Sequence, residues 1–179
     1  MKAKILIAAA LLLCSLSLYA QTREHKAYHS NGNLAEIGNL KEDKREGEWK
    51  IYHENGTLGV IGSFILGKPD GEWKSYFDNG NMAEVVNFKG GIEEGEWKAY
   101  HETGKLKSLG QYKKGKEEGK WKFFHENGKL QSSGNFKDGI EDGGWKYYDI
   151  NGKAIVSDDK ISDWDAINKS LKQQQSGQN

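Results

Sequence analysis

Cysteine is almost missing from this 179-residue chain. The one present, Cys14, lies in the apolar N-terminal stretch, so the rest has no disulfide, no thiol nucleophile and no thiolate metal site. Leu13, not a small residue, precedes it, which argues against lipidation. Proline is as scarce, with Pro69 alone. Beyond residue 20 no run is apolar for long enough to span a bilayer, so no transmembrane segment is expected. An excess of one charge is also lacking: 26 Lys+Arg stand against 26 Asp+Glu. Lys2 and Lys4, the apolar run at 5–13 and the small Ala20 read as a secretory signal peptide over residues 1–20. Without Lys2 and Lys4 the count is 24 against 26, a net −2, which leaves no basic footprint for nucleic acid. The expected product is exported, periplasmic or secreted.

Glycine and tryptophan are present in a pattern. Trp49, Trp73, Trp97, Trp121 and Trp145 recur every 24 residues. Each has a glycine two residues before it, from Gly47 to Gly143, and a lysine directly after, from Lys50 to Lys146. An aromatic follows at Tyr52, Tyr76, Tyr100, Phe124 and Tyr148, and a glycine closes the unit at Gly56, Gly80, Gly104, Gly128 and Gly152. A leading copy has His25 in the tryptophan place, so a partial repeat plus five more fill residues 21–158.

Asn31-Gly32, Asn55-Gly56, Asn79-Gly80, Thr103-Gly104, Asn127-Gly128 and Asn151-Gly152 sit between short alternating runs. Asn-Gly suits a two-residue type I′ hairpin turn, in which both residues need positive φ, and Thr103 is then the poor member. With Asn55-Gly56 as the turn, His53 faces Leu58, Ile51 faces Val60, Trp49 faces Gly62 and Gly47 faces Phe64. Each tryptophan ring is expected to cover the glycine opposite it, except Trp73, which meets Val86. Alternation puts Trp49, Ile51, His53, Leu58, Val60 and Phe64 on one face and Glu48, Lys50, Tyr52, Ile61 and Ser63 on the other. The expected fold is all-β: an elongated single-sheet solenoid of stacked antiparallel hairpins. Ser162, Trp164, Ile167 and Leu171 predict a short capping helix over 159–172, and residues 173–179 a disordered polar tail.

Several columns invite chemical readings. His29, His53, His101 and His125 repeat one position, but equivalent residues lie two strands apart, on the order of 10 Å, too far to share one zinc. Glu46, Asp70, Glu94, Glu118 and Asp142 form an acidic column with neither a calcium-loop pattern nor the unequal pocketed pair a glycosidase needs. The lysines beside Tyr52 and Tyr76 read as a face kept soluble by cross-strand charge pairing. No nucleophile elbow, phosphate loop or dinucleotide fingerprint occurs. No catalytic residue, metal or cofactor is therefore assigned. The tryptophan column Trp49, Trp73, Trp97, Trp121 and Trp145 is either the core of a thin sheet or the lining of a binding groove.

The unit Gly-Glu-Trp-Lys-x-Tyr, then Gly-x-Leu, then Gly-x-Phe, best seen from Gly95 to Gly115 and from Gly119 to Gly139, resembles the MORN repeat and its bacterial variant. That resemblance implies stacked hairpins and a non-catalytic role in protein–protein or membrane-associated scaffolding. It also brings an antitoxin label borne by some bacterial relatives, which sits badly with an exported chain. Gly144-Trp145-Lys146-Tyr147-Tyr148 through Gly152 resembles choline- and glucan-binding hairpins more loosely, because those repeats are shorter. The reading is a non-enzymatic scaffold for an unidentified protein partner. The alternative is a module that binds an envelope glycan or lipid head group through the tryptophans.

Overall fold

The structure, a computed structural model, describes residues 22–156. The signal peptide, capping helix and tail expected from sequence lie outside the described residues. Among the described residues every regular element is a strand: β1 Arg23–Tyr28, β2 Leu34–Lys41, β3 Lys44–Tyr52, β4 Leu58–Ile65, β5 Lys68–Tyr76, β6 Met82–Lys89, β7 Ile92–Glu93, β8 Gly95–Tyr100, β9 Leu106–Lys113, β10 Lys116–Phe124, β11 Leu130–Lys137, β12 Ile140–Glu141, β13 Lys146–Tyr148 and β14 Ala154–Val156. The described residues fall into two compact units, 22–92 and 93–156. Within each unit the strands pair into an open antiparallel sheet, as the alternation predicts. In the first, β1 to β6 follow chain order; in the second, β8 to β11 do, followed by β13 and β14.

The long-range register is the expected one. Gly47 faces Phe64, Trp49 faces Gly62 and Ile51 faces Val60; Trp73 faces Val86 and Trp97 faces Gly110. The turns differ. Near the Asn-Gly turn Tyr52, not His53, faces Leu58. The His53 amide donates to the Thr57 carbonyl and the Gly56 amide to the His53 carbonyl, each at 2.9 Å. Only Gly56 of this loop has positive φ, at 84°. Glu54-Asn55-Gly56 is thus a three-residue loop, a type I turn followed by a left-handed glycine. The bulge between Ile51 and Tyr52 absorbs the extra residue and restores the register. The asparagine position keeps negative φ, so Thr103 fits there without strain.

The type I′ turns are the links between hairpins. Glu42-Asp43 has φ of 51° and 59°, Leu66-Gly67 52° and 80°, Lys114-Gly115 54° and 76°, and Asp138-Gly139 54° and 83°. Flanking pairs such as Lys41 with Lys44 and Ile65 with Lys68 leave two residues in each loop. These primed turns match the twist of the flanking strands.

The Gly-x-Trp motif has a mechanical role. On β3, Ile37 pairs with Lys50 and Asn39 with Glu46, so the three residues 47–49 oppose Gly38 alone. Gly47, with φ of 69°, opens this bulge, and Gly71 and Gly119 do the same at φ of 81° and 69°. The bulge swings the tryptophan towards the preceding strand. A side chain on Gly38 would meet the Trp49 ring at 2.2 Å, and one on Gly62 the Trp73 ring at 2.1 Å. Gly110 lies likewise under Trp121, and Gly134 under Trp145. The expected cover is corrected here: the ring over each glycine comes from the following repeat, not from the directly opposed residue. Trp49 Nε1 donates to the Asn39 carbonyl at 3.1 Å, and Trp73 Nε1 to the Ser63 carbonyl at 3.2 Å, which holds the rings in that lean.

Candidate binding surface

The aromatic column forms the core of each unit. Trp49 and Trp121 are each 2% exposed and Phe64 is 9% exposed, whereas Trp73, Trp97 and Trp145 are half-buried. In the first unit His25 stacks on Trp49 at 5.4 Å, and Phe64 sets its edge between Trp49 at 6.1 Å and Trp73 at 4.9 Å. The Arg45 guanidinium lies 4.1 Å from the Trp49 ring centre and pairs with Glu36 at 2.8 Å. Glu36 also meets His25 Nε2 at 2.9 Å, so the leading repeat closes its end of the stack with charged groups in place of an indole. In the second unit Trp97 and Trp121 tilt together at 5.2 Å, and Phe136 sets its edge to Trp145 at 5.2 Å. Edge-to-face packing of this kind is favoured by the ring quadrupole. Trp121 Nε1 and Trp145 Nε1 are buried without a hydrogen-bond acceptor.

The histidine column is fastened to the backbone. His29 Nε2 donates to the Tyr52 carbonyl and His53 Nε2 to the Tyr76 carbonyl, each at 2.8 Å. His101 and His125 reach the Phe124 and Tyr148 carbonyls at 3.0 Å. Each histidine thus bonds the next repeat across 23 residues. The asparagines run alongside. Asn55 Oδ1 accepts the Thr57 amide at 2.9 Å, while its Nδ2 donates to the Asp78 carbonyl at 3.0 Å. Asn31 and Asn127 repeat the cross-link to Glu54 and Ile150.

The acidic column serves the opposite margin. Glu46 accepts the Leu66 amide, Asp70 the Gly90 amide and Glu94 the Lys114 amide, each at 2.9 Å, and Glu118 the Asp138 amide at 3.1 Å. These carboxylates hold the next link turn. The turn glycines add a second bond: Gly67 donates to the Arg45 carbonyl at 2.9 Å and Gly115 to the Glu93 carbonyl at 3.0 Å. Among the described residues no group of three His, Cys, Asp or Glu could hold a metal ion.

The remaining face carries paired charges. Lys26 pairs with Glu24 at 2.7 Å, Lys50 with Glu48 at 2.9 Å, Lys74 with Glu72 at 2.7 Å, and Lys98 with Glu96. The partners are two residues apart on one strand, not on neighbouring strands as expected, because alternate residues of a strand share a face. The glutamate hydrogen bond, then its charge, raises the lysine pKa above 10.5 at Lys26, Lys50 and Lys74. Burial, then the charge of Glu141, raises Tyr147 above 10.0.

Two shallow depressions lie on this face. One of about 220 Å³ surrounds Gly38 and is lined by Glu24, Asn39, Glu48 and Lys50. The other, about 300 Å³, surrounds Gly110 and is lined by Glu96, Leu109, Gln111, Lys120 and Lys122. Both occur where a bare glycine has its ring on the far side. No described helix is long and apolar enough to cross a membrane.

A search of curated proteins gives no match. The MORN repeat variant matches residues 24–42, 45–65, 69–89, 93–114 and 117–138, more than half of the chain. The final hairpin, with Trp145, lies beyond those matches, yet β13 and β14 still pair. With its family unit set on hairpins that repeat the same bulge, turn and indole lean, the chain belongs to the MORN repeat variant family.

Proposed function

We propose that this protein is an exported, non-enzymatic scaffold that binds a protein partner on the charged face of its sheet. The observation that carries the reading is how the repeated functional groups are used. Histidines, asparagines and acids bond neighbouring repeats, and Trp49 and Trp121 are buried in the core. What remains outside is a face of paired lysines and glutamates with strand-regular spacing. MORN repeats are commonly protein- or membrane-binding modules. Export rests on the sequence of residues 1–20.

Glycan or lipid head-group binding through the tryptophans has less to work with, since Trp49 and Trp121 are 2% exposed. The test is photo-crosslinking in the cells that make the protein, with a photoreactive residue at Ile61 on the charged face or at Val60 on the aromatic face. Discrete protein adducts from Ile61 are expected, with few from Val60. Adducts to glycan or lipid, or adducts from Val60 alone, would contradict the reading.

A further inference from the structure

We propose that the depression over Gly110 in the second unit docks an extended acidic segment of a partner protein, with acidic side chains at alternate positions. This rests on the scaffold reading above and names its site and partner chemistry.

The repeat pattern breaks here. Glu24, Glu48, Glu72 and Glu96 occupy one repeat position, and each pairs with the lysine two residues on. The next member is Lys120. Lys120 and Lys122 therefore stand side by side on the same face of β10, and neither has an acidic partner among the described residues. Like charges so placed repel, and a partner of opposite charge would relieve them. Glu96, the acid on the rim, is already paired with Lys98. Lys113 adds positive charge at the end of the same strand pair, where it faces Lys116, itself 3.8 Å from Asp138. The Gly38 depression in the first unit has the same construction but keeps its glutamate, Glu48, beside Lys50.

Geometry selects the kind of acid. Residues two apart on a strand are separated by about 6.6 Å, which is also the spacing of alternate side chains on an extended peptide. A segment lying along β10 with acids at every second residue places one carboxylate on each ammonium. Leu109 and the uncovered backbone of Gly110 form the floor between them, which suits a small apolar or polar residue of the segment. Repulsion by Glu96 disfavours a compact multivalent anion seated at the centre.

The test uses the purified protein and a fluorescein-labelled peptide alternating glutamate and threonine, followed by anisotropy. The comparators are a peptide of the same composition with its glutamates in one block, inorganic tripolyphosphate, and phosphatidylglycerol vesicles. Lys120→Glu restores the glutamate of the four preceding repeats and so is expected to keep the fold, checked by circular dichroism. The alternating peptide is expected to bind more tightly than the block peptide, and Lys120→Glu to weaken it by about tenfold or more, as loss of a close charge pair does. Lys105→Glu, an exposed residue beside the Thr103-Gly104 loop of the same unit, is expected to leave binding unchanged. Equal affinity of wild type and Lys120→Glu, equal affinity of the two peptides, or Lys120-dependent binding of tripolyphosphate or vesicles in place of the peptide would each overturn the proposal. Protein adducts from Ile61 without peptide binding would overturn this site and leave the scaffold standing. Absence of protein adducts would remove the scaffold reading itself.

Discussion

A side chain on Gly62 would begin 2.1 Å from the indole of Trp73. Gly62→Ala should therefore destabilise the protein by about 3 kcal/mol, at the upper end of overpacking costs, measured by urea denaturation. Gly47 has nothing near its missing side chain but sits at φ of 69°. Gly47→Ala should cost only about 1 kcal/mol, the strain of a left-handed alanine. The two glycines are thus retained for different reasons, one for space and one for backbone. Leu66 shows the converse: it holds φ of 52° while 68% exposed, so it bears strain with little packing in return. Leu66→Asn should stabilise by about 1 kcal/mol, because asparagine tolerates this conformation, and the same denaturation series reads it.

At the scale of the hairpin, the two turns exchange the roles their sequences suggest. Asn-Gly looks like a type I′ signal, yet the asparagine works through its side chain, bonding its own loop and the next repeat. Thr103 has no amide with which to do this. Thr103→Asn should add those bonds and stabilise by about 1 kcal/mol, read as a shift in the denaturation midpoint. The strand register, the two faces and the all-β fold were legible because a spacing of 24 residues with alternation leaves few pairings. The direction of the indole lean was not, because Trp49 is level with Gly62 on one side and Gly38 on the other, and only the Gly47 bulge decides between them. The amide bonds of Glu46 and its counterparts were hidden as well, since they join positions 20 residues apart. The Glu-Lys pairs carry a pH dependence. A lysine pKa raised on folding contributes stability that is present below 10.5 and is lost as pH rises through the folded value. The raised Tyr147 acts in the same direction above 10.0. Thermal unfolding scans should show little change from neutral pH to pH 9 from these groups and a falling midpoint beyond pH 10.5, steeper in wild type than in Glu48→Gln.

For the molecule as a whole, the column that looks most like a binding strip holds two buried indoles, Trp49 and Trp121, beside the half-buried Trp73, Trp97 and Trp145, and the partner is proposed to sit on the charged face instead. Five tryptophans at equal spacing could line a groove or fill a core, and spacing alone does not separate these. Burial favours the core at Trp49 and Trp121, each 2% exposed, and at Trp49 the flanking Phe64 and Arg45 close over the ring. The break in charge pairing at Lys120 was present in the sequence as one substitution in a column, but the depression beside it needed the glycine and its ring to be placed. Iodide quenching of tryptophan fluorescence tests this arrangement most directly, in variants that keep Trp49 or Trp121 with the other tryptophans replaced by phenylalanine. The account predicts that both indoles are almost unquenched in the folded state and become fully quenchable in denaturant, as their 2% exposure requires. Quenching of either at the rate of free tryptophan in the folded protein would show an open aromatic groove and contradict it.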